Sequence, residues 1–179
     1  MQDELTLLEG VRRLDPTALE QVHDTYYPVI FRYISFRVGD QETAEDLTSD
    51  VFTRLLSAVR DHTAPQNTLS GWLYGVASRV VADYHRKSYR AEHVELTPAI
   101  ESKSPDPSEA LSNKQTLEAL HAAMDDLTED QQEVIALRFG YEMPIREVAK
   151  QMGKSEGAIK QLQARAVAAL SRTLGARRN

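Results

Sequence analysis

The sequence contains no cysteine in its 179 residues. A chain without cysteine forms neither a disulfide framework nor a zinc site built on thiolates, which is typical of proteins in a reducing compartment. It also lacks any apolar run near the ~20 residues that a membrane-spanning helix needs. The N-terminus, MQDELTLLEG, is acidic where a signal peptide would be basic. We therefore expect a soluble, cytoplasmic protein that does not enter the membrane.

Glycine and proline are also scarce, with 8 and 7 residues. Leu, Ala, Glu, Gln and Arg dominate, and β-branched residues rarely alternate with polar ones, so the composition predicts an all-α fold. Apolar residues recur at helical spacing in the N-terminal half. This pattern predicts helices at about 3–14, 16–38, 42–59 and 71–90, with a kink at Pro28 and a loop at 61–70.

The third predicted helix has one apolar and one acidic face. Leu47, Val51, Phe52, Leu55 and Leu56 are predicted to point inward. The outward positions are Glu45, Asp46, Ser49 and Asp50. Such a face suits a basic partner, but a solvated surface has the same pattern, and spacing alone favours neither.

The fourth predicted helix has a basic face with aromatic residues among the cations. The basic residues are Arg79, Arg86, Lys87 and Arg90, and the aromatic ones are Tyr74, His85 and Tyr89. This mixture is typical of proteins that bind single-stranded nucleic acid, because bases stack on rings while phosphates meet cations. Trp72 lies in the apolar stripe, so we expect it in the core.

Helical periodicity fails after this helix, and proline and serine become frequent. We predict a flexible acidic linker over 93–112, which joins two small helical modules at 1–92 and 113–179. The second module should begin with a helix at about 109–124. A capping box from Thr128 to Gln131 then begins a helix that ends at Gly140.

The C-terminal stretch has the pattern of a helix-turn-helix. Pro144 is expected at the first position of a short helix whose apolar stripe includes Val148 and Ala149. Gly153 can adopt positive φ, and Ser155 can cap the next helix. Residues 145–179 contain eight basic and two acidic residues, a net charge of +6 in a chain of net charge −6. A basic helix-turn-helix predicts binding to duplex DNA.

Two stretches resemble parts of bacterial sigma factors of the sigma-70 family. LTEDQQEVIALRFGYEMPIREVAKQMGKSEGAIKQLQARAVAAL is similar to their region four, and AEDLTSDVF with GWLYGVASRVVADYHRK is similar to region two. The short two-module arrangement resembles the extracytoplasmic-function (ECF) group. The resemblance implies a subunit that binds core RNA polymerase, directs it to specific promoters and initiates transcription, without enzymatic activity or a cofactor of its own.

The resemblance also assigns expected contacts to residues of this chain. The core-binding face would be Glu45, Asp46, Ser49 and Asp50. The minus-ten element would be melted and bound by Gln66, Asn67, Thr68, Ser70, Arg79, Asp83, Arg86, Lys87 and Arg90. The minus-thirty-five duplex would be bound by Lys154, Ser155, Glu156, Ala158, Lys160, Gln161 and Arg165. The implied protein partners are the beta-prime clamp and beta flap of the polymerase core, with an anti-sigma factor as a further candidate.

Two alternatives remain at this point. The spacings Glu20-x-x-His23 and Glu118-x-x-His121 resemble those of di-iron bundles, but both lie beside the apolar stripe and no clear pair of partner glutamates completes a site. A non-sigma helix-turn-helix regulator with an N-terminal interaction domain is the stronger alternative. Binding to core polymerase would distinguish it from a sigma factor.

Overall fold

A computed structural model describes residues 2–66, 68–94 and 109–176 of the chain. The described part is helical, and its α-helices are α1 (Gln2–Arg12), α2 (Pro16–Arg37), α3 (Gln41–Arg60), α4 (Leu69–Val94), α5 (Glu109–Asp125), α6 (Glu129–Ile135), α7 (Ile145–Met152) and α8 (Glu156–Ala176). A π-helical turn, Ala136–Gly140, follows α6. The predicted all-α fold is confirmed.

Local signals in the sequence determine where several helices begin. The carboxylates of Asp15 and Asp40 accept hydrogen bonds from the first turns of α2 and α3, which satisfies backbone N–H groups that have no helical partner. Thr128 and Gln131 form the predicted capping box at the start of α6. Pro28 lies inside α2, which continues on both sides of it.

The N-terminal module, α1 to α4, buries one continuous stripe from each helix. Ile30 of α2, Leu55 of α3 and Leu73 of α4 are almost completely buried and belong to one cluster. Leu56 was predicted inward but is 47% exposed. It follows Leu55 by one residue, a rotation of about 100° in an α-helix, and this rotation places it outside the stripe that α3 buries.

The C-terminal module, α5 to α8, has a smaller core of its own. Met124, Leu127, Ile135 and Ala166 form a buried cluster where α5 and α6 meet α8. The π-helical turn was not predicted, because its hydrogen-bond pattern has no distinct hydrophobic period. Helix α4 continues to Val94, beyond its predicted end near residue 90, and α5 begins at Glu109, as predicted; residues 95–108 lie outside the described part.

The two modules pack against each other along a contact that we call the seam. It joins α2 and the start of α4 to α6, the π-helical turn and residues 141–142. Buried residues on both sides, such as Tyr33 and Leu137, belong to the same hydrophobic cluster. The prediction of two helical modules is confirmed. The seam between them is a contact that the sequence analysis did not predict.

None of the helices described is both long and apolar enough to cross a bilayer.

Candidate nucleic-acid interface

The turn between α7 and α8 has the geometry of a helix-turn-helix. Gly153 ends α7 at a φ of 62°, a left-handed conformation that glycine adopts without strain. Its N–H donates to the carbonyls of Ala149 and Lys150. The hydroxyl of Ser155 accepts from the N–H of Ala158 at 3.1 Å and caps α8. The predicted roles of Gly153 and Ser155 are confirmed.

Pro144 differs from its predicted position by one residue. It is the N-cap of α7 rather than the first helical residue, because its ψ of 150° is extended. Its carbonyl still accepts from the N–H groups of Glu147 and Val148, at 2.9 and 3.0 Å. The proline therefore begins the helix through its carbonyl, from outside the helical turn.

Helix α8 presents the predicted DNA-binding side chains on one face. Ile159 and Ala166 are buried against the rest of the module, while Lys160, Gln161 and Arg165 are exposed. Long side chains that carry hydrogen-bond donors on the exposed face of such a helix can reach phosphates and base edges in a major groove. The other predicted contacts lie near the start of α8, where Ser155 and Glu156 are exposed and Ala158 is half-buried.

Two polar side chains of this region form contacts with other residues of the C-terminal module. Lys154 Nζ lies 2.9 Å from Asp130 Oδ2 of α6. Gln163 of α8 accepts a hydrogen bond from Arg138 Nε at 3.1 Å. Both contacts attach the turn and α8 to the preceding helix. Asp130 and Arg138 were not predicted to matter here, since sequence spacing does not reveal contacts between elements.

The basic face of α4 is open along most of its length. Arg79, Arg86, Lys87 and Arg90 are exposed. Asp83 pairs with Arg86 and, with Lys87 and Arg90, lines a shallow depression of about 320 Å³. Their positions at i, i+3, i+4 and i+7 place all four on one face of the helix.

The aromatic residues near this face divide into two groups. Tyr89 is exposed beside the cations, and His85 lies near the same end of α4. Tyr74, which was predicted on the basic face, is instead buried at the seam. Trp72 packs partly against the core, as expected. The aromatic part of the predicted single-strand surface is therefore smaller than the sequence indicated.

The loop before α4 carries the first predicted minus-ten contacts. Gln66 and Thr68 are exposed, and Asn67 lies outside the described residues. Arg12 of α1 fixes the loop, because its Nη2 donates to the carbonyl of Pro65 at 2.7 Å. Arg12 was not predicted as a supporting residue; 53 residues separate the two partners, and no local pattern connects them.

Ser70 is not a loop residue, contrary to prediction. Helix α4 begins at Leu69, whose side chain is completely buried, so the first turn of α4 packs against the core. The carbonyl of Ser70 accepts a hydrogen bond from the Tyr141 hydroxyl at 2.8 Å. The last residue of the predicted minus-ten loop is therefore bonded to the other module.

The acidic face of α3 is solvent-exposed, as predicted. Glu45, Asp46 and Ser49 are exposed, while Asp50 is half-buried and pairs with Arg54 one turn later at 3.0 Å. Asp46 forms no ion pair with any described residue. Glu45 accepts a hydrogen bond from Gln41 Nε2 at 2.9 Å, so Asp46 is the carboxylate of this set that has neither an ion pair nor a side-chain hydrogen bond among the described residues.

The di-iron alternative finds no support in the placement of its histidines. His121 Nε2 lies 2.6 Å from the carbonyl of Ser35, and the ring of His23 packs on those of Tyr27 and Phe52. Among the side chains that the structure describes, no group of three or more His, Asp or Glu residues could hold a metal ion.

Two family descriptions match this chain, one on each module. The family description "Sigma-70 region 2" matches residues 22–91, and "Sigma-70, region 4" matches residues 123–172. The first match covers α3 and most of α4, and the second covers the helix-turn-helix. The N-terminal module is therefore a sigma region rather than the sensor domain of another type of regulator.

Individual relatives point the same way. The ECF RNA polymerase sigma factor BldN of Streptomyces coelicolor is 39% identical over 95% of this chain, which spans 65% of that relative's length. The structure of CnrH with the cytosolic domain of CnrY has a similar fold, with a TM-score of 0.65 at 20% identity, covering 97% of both chains. The sigma factor RpoE bound to the anti-sigma factor NepR, from Bartonella quintana, gives a TM-score of 0.60 at 21% identity, covering 87% of this chain and 96% of that one.

Region 2 precedes region 4 in this chain, as in the family, and each lies on one module. Together they contain the acidic face of α3, the basic face of α4 and the recognition face of α8. This chain belongs to the extracytoplasmic-function group of the sigma-70 family.

Proposed function

We propose that this chain is a promoter-specificity subunit that binds core RNA polymerase and begins transcription at defined sites. One observation carries the proposal: a single chain combines an exposed recognition helix with a region-two module that has both an acidic and a basic face. A duplex-binding regulator needs only the first surface. A subunit that also engages polymerase and a melted strand needs all three.

We assign the three surfaces by the chemistry of their side chains. The acidic face of α3 is assigned to the beta-prime clamp, since exposed carboxylates attract a basic partner. The loop at Gln66 to Thr68 and the cations of α4 are assigned to the minus-ten element. The recognition face of α8 is assigned to the minus-thirty-five duplex, and the C-terminal module to the beta flap. Such a protein works in the cytoplasm, where the polymerase is.

An anti-sigma partner is a further part of the proposal. Its support is that two proteins of similar fold, CnrH and the sigma factor RpoE, were each solved with a second protein, which in the case of RpoE is named an anti-sigma factor. Binding of such a partner to this chain would compete with core polymerase.

Run-off transcription tests the central proposal. Bacterial core polymerase supplied with this chain and a library of genomic promoter fragments should produce transcripts with defined start sites. Core alone, on the same fragments, is the control. If core with the chain initiates at no more sites than core alone, the chain is not a promoter-specificity subunit.

A further inference from the structure

A pocket opens between the C-terminal end of α2, the residues before α3 and helix α5. Its volume is about 460 Å³, within the range of about 300–1,000 Å³ that is typical of small-molecule sites. Its apolar walls are Phe31 and Phe36 of α2 and Leu117 and Leu120 of α5. We call it the α2–α5 pocket. None of the residues named above for contacts with DNA or core polymerase lines it.

The two hydrophobic clusters hold the walls of this pocket in place. Phe36 packs partly against both clusters, and Leu120 packs against the smaller one. The ring of Phe31 lies nearly parallel to that of Tyr27, at a centroid distance of 6.3 Å. Leu117, at the rim, is 37% exposed. Walls fixed in this way need little reorganisation when a ligand binds, which lowers the entropy that binding costs.

A hydroxyl group without a partner belongs to the same pocket. Ser35 lines the pocket, and its Oγ is buried and has no hydrogen-bond partner among the described residues. Buried polar atoms almost always have a partner, because an unsatisfied one keeps the full cost of losing water. The residue as a whole is only half-buried, so a change of its χ1 rotamer brings Oγ to the pocket surface. A ligand there would supply the missing partner.

His121 supplies a second polar group to the pocket. Its Nε2 lies 2.6 Å from the carbonyl of Ser35. A carbonyl oxygen only accepts, so Nε2 carries the proton and, in the neutral ring, Nδ1 is an acceptor. Nδ1 lies beside Gly39, where a Cβ atom would be 3.6 Å from it. A ligand hydroxyl can therefore donate to His121 Nδ1 and accept from Ser35 Oγ.

The charged residues of the pocket are already bonded within the protein. Arg32 Nη2 lies 2.5 Å from Glu142 Oε1, and its Nε donates to the carbonyl of Gly140. Asp40 Oδ2 accepts from both the N–H and the hydroxyl of Thr43. A charged ligand would lose its hydration without meeting an opposite charge that lacks a partner. The pocket therefore favours an uncharged ligand.

We propose that the α2–α5 pocket binds an uncharged, largely apolar small molecule that carries one hydroxyl group, such as a phenol or an aliphatic alcohol. The apolar body lies against Phe31, Phe36 and Leu117, and the hydroxyl bonds to Ser35 and His121. This site is a property of the free chain and does not depend on the proposed function.

NMR titration of the isotope-labelled full chain with matched probes tests the site. The probes 2-naphthol and 1-octanol carry the hydroxyl, naphthalene lacks it, and 2-naphthoate carries a negative charge instead. We expect the two alcohols to cause saturable shifts of the backbone amides at residues 35–41 and 116–121. Naphthalene should bind there about fivefold more weakly than 2-naphthol, because one hydrogen bond is lost. The affinity for 2-naphthoate should also be lower than that for 2-naphthol.

Ser35→Ala removes the hydroxyl and leaves the apolar walls in place. The variant should bind 2-naphthol about fivefold more weakly and should bind naphthalene as the unmodified chain does. Ser171→Ala, at an exposed position of α8 outside the pocket, is the matched control and should change neither affinity.

The stability of the free Ser35→Ala variant tests the unpaired hydroxyl itself. Its urea midpoint should be no lower than that of the unmodified chain, because the deleted group has no partner to lose. A clearly lower midpoint would show that Ser35 is bonded within the protein, and would overturn its assignment to a ligand.

Gly39→Ala reduces the space in the pocket instead. Gly39 is not among the described residues with positive φ, and the new methyl group would make an ordinary contact with the ring of His121. This variant should weaken the binding of 2-naphthol and naphthalene alike, by about fourfold, the effect of one methylene group of lost apolar contact. Gly75→Ala on α4 is the control, since nothing lies within 4 Å of its Cβ.

Three results of the titration would overturn the proposal. Neither alcohol causes saturable shifts at residues 35–41 and 116–121; 2-naphthoate binds more tightly than 2-naphthol; or these amides respond to protein concentration rather than to the probes, which would make the pocket a contact between two copies of the chain. No measurement here involves polymerase, so failure of the pocket and failure of the proposed function remain distinguishable.

Discussion

The two surfaces proposed to contact DNA differ in how much of each is open in the free chain. The recognition face of α8 is uncovered, with Lys160, Gln161 and Arg165 all exposed. The surface assigned to the minus-ten element is only partly open, because Ser70 is bonded to Tyr141 and Tyr74 is buried at the seam. The difference shows that the recognition face is accessible in the structure as it stands, whereas the C-terminal module covers part of the surface assigned to the minus-ten element.

The largest expected effect comes from removing a buried side chain that supports the exposed recognition face of α8. Ile159→Ala removes a fully buried side chain behind the recognition face and should destabilise the C-terminal module by about 2–5 kcal/mol. Leu56→Ala, at a 47% exposed position of α3, should change stability by about 0.5 kcal/mol or less. Urea unfolding followed by circular dichroism measures both. Similar losses for the two variants would contradict the burial described here.

The next effect separates base contacts from phosphate contacts. Gln161→Ala should relax specificity at one upstream position by about 1–3 kcal/mol, because Gln161 can form paired hydrogen bonds with a base edge. Lys87→Ala should weaken open-complex formation on every promoter and reduce its salt dependence, as expected for a phosphate contact.

Open-complex yields on a panel of single-base promoter variants, at two salt concentrations, measure both changes. A shift of upstream base preference caused by Lys87→Ala would show that the modules are assigned to the wrong promoter elements. The same conclusion would follow if Gln161→Ala altered only downstream preference.

A smaller effect concerns the acidic face of α3. Asp46→Lys should lower affinity for core about tenfold, or about 1.4 kcal/mol, because this exposed carboxylate has no ion-pair partner among the described residues and would meet a basic clamp directly. Glu20→Lys, an exposed charge reversal on α2, is the control for net charge. Equal core affinity for the two variants would make the acidic face a solvated surface.

Lys154 should show a weaker effect than its neighbours on the recognition helix. Its charge is already balanced by Asp130, so Lys154→Ala should reduce the salt dependence of duplex binding less than Lys160→Ala does. The lost surface ion pair should cost less than about 1 kcal/mol of stability. Equal salt slopes for the two variants would show that Lys154 leaves Asp130 to bind phosphate.

The smallest effect is expected from pH near neutrality. Burial, and then the charge of Glu133, raises the pKa of Tyr33 and Tyr74 above the usual value, and burial raises that of Tyr141. A raised folded-state pKa means that stability is fully present below the unfolded value of about 10 and is lost as pH rises through the folded pKa. The urea midpoint should therefore be flat up to about pH 10 and fall above it. A decline beginning near pH 8 would contradict buried, neutral tyrosines at the seam.

Sequence alone was sufficient for most local features. The Thr128–Gln131 box fixes a helix start through hydrogen bonds that span three residues, and Gly153 fixes the turn through its own backbone freedom. The exposed face of α8 follows from a 3.6-residue period. Each of these depends on residues that are close in the chain, so their spacing is visible in the sequence.

The errors at Leu56 and Tyr74 show where periodicity becomes insufficient. Periodicity separates a buried face from an exposed one, but it does not define the width of the face or identify what covers it. Leu56 lies just outside the buried stripe of α3. Tyr74 lies on a face that the other module covers, so a residue predicted to stack on bases packs against Tyr33 and Tyr141 instead.

Sequence by itself thus determined that the chain is helical, where its helices begin and which faces carry charge. Only the tertiary structure decided that the two modules share a seam. Glu133 meets Tyr33 and Tyr74 across 100 and 59 residues of chain, and the closeness of Gly140 to the Tyr33 backbone depends on how α2 and the π-helical turn pack. Contacts of this range arise from the packing of whole helices, so no local pattern of residues encodes them.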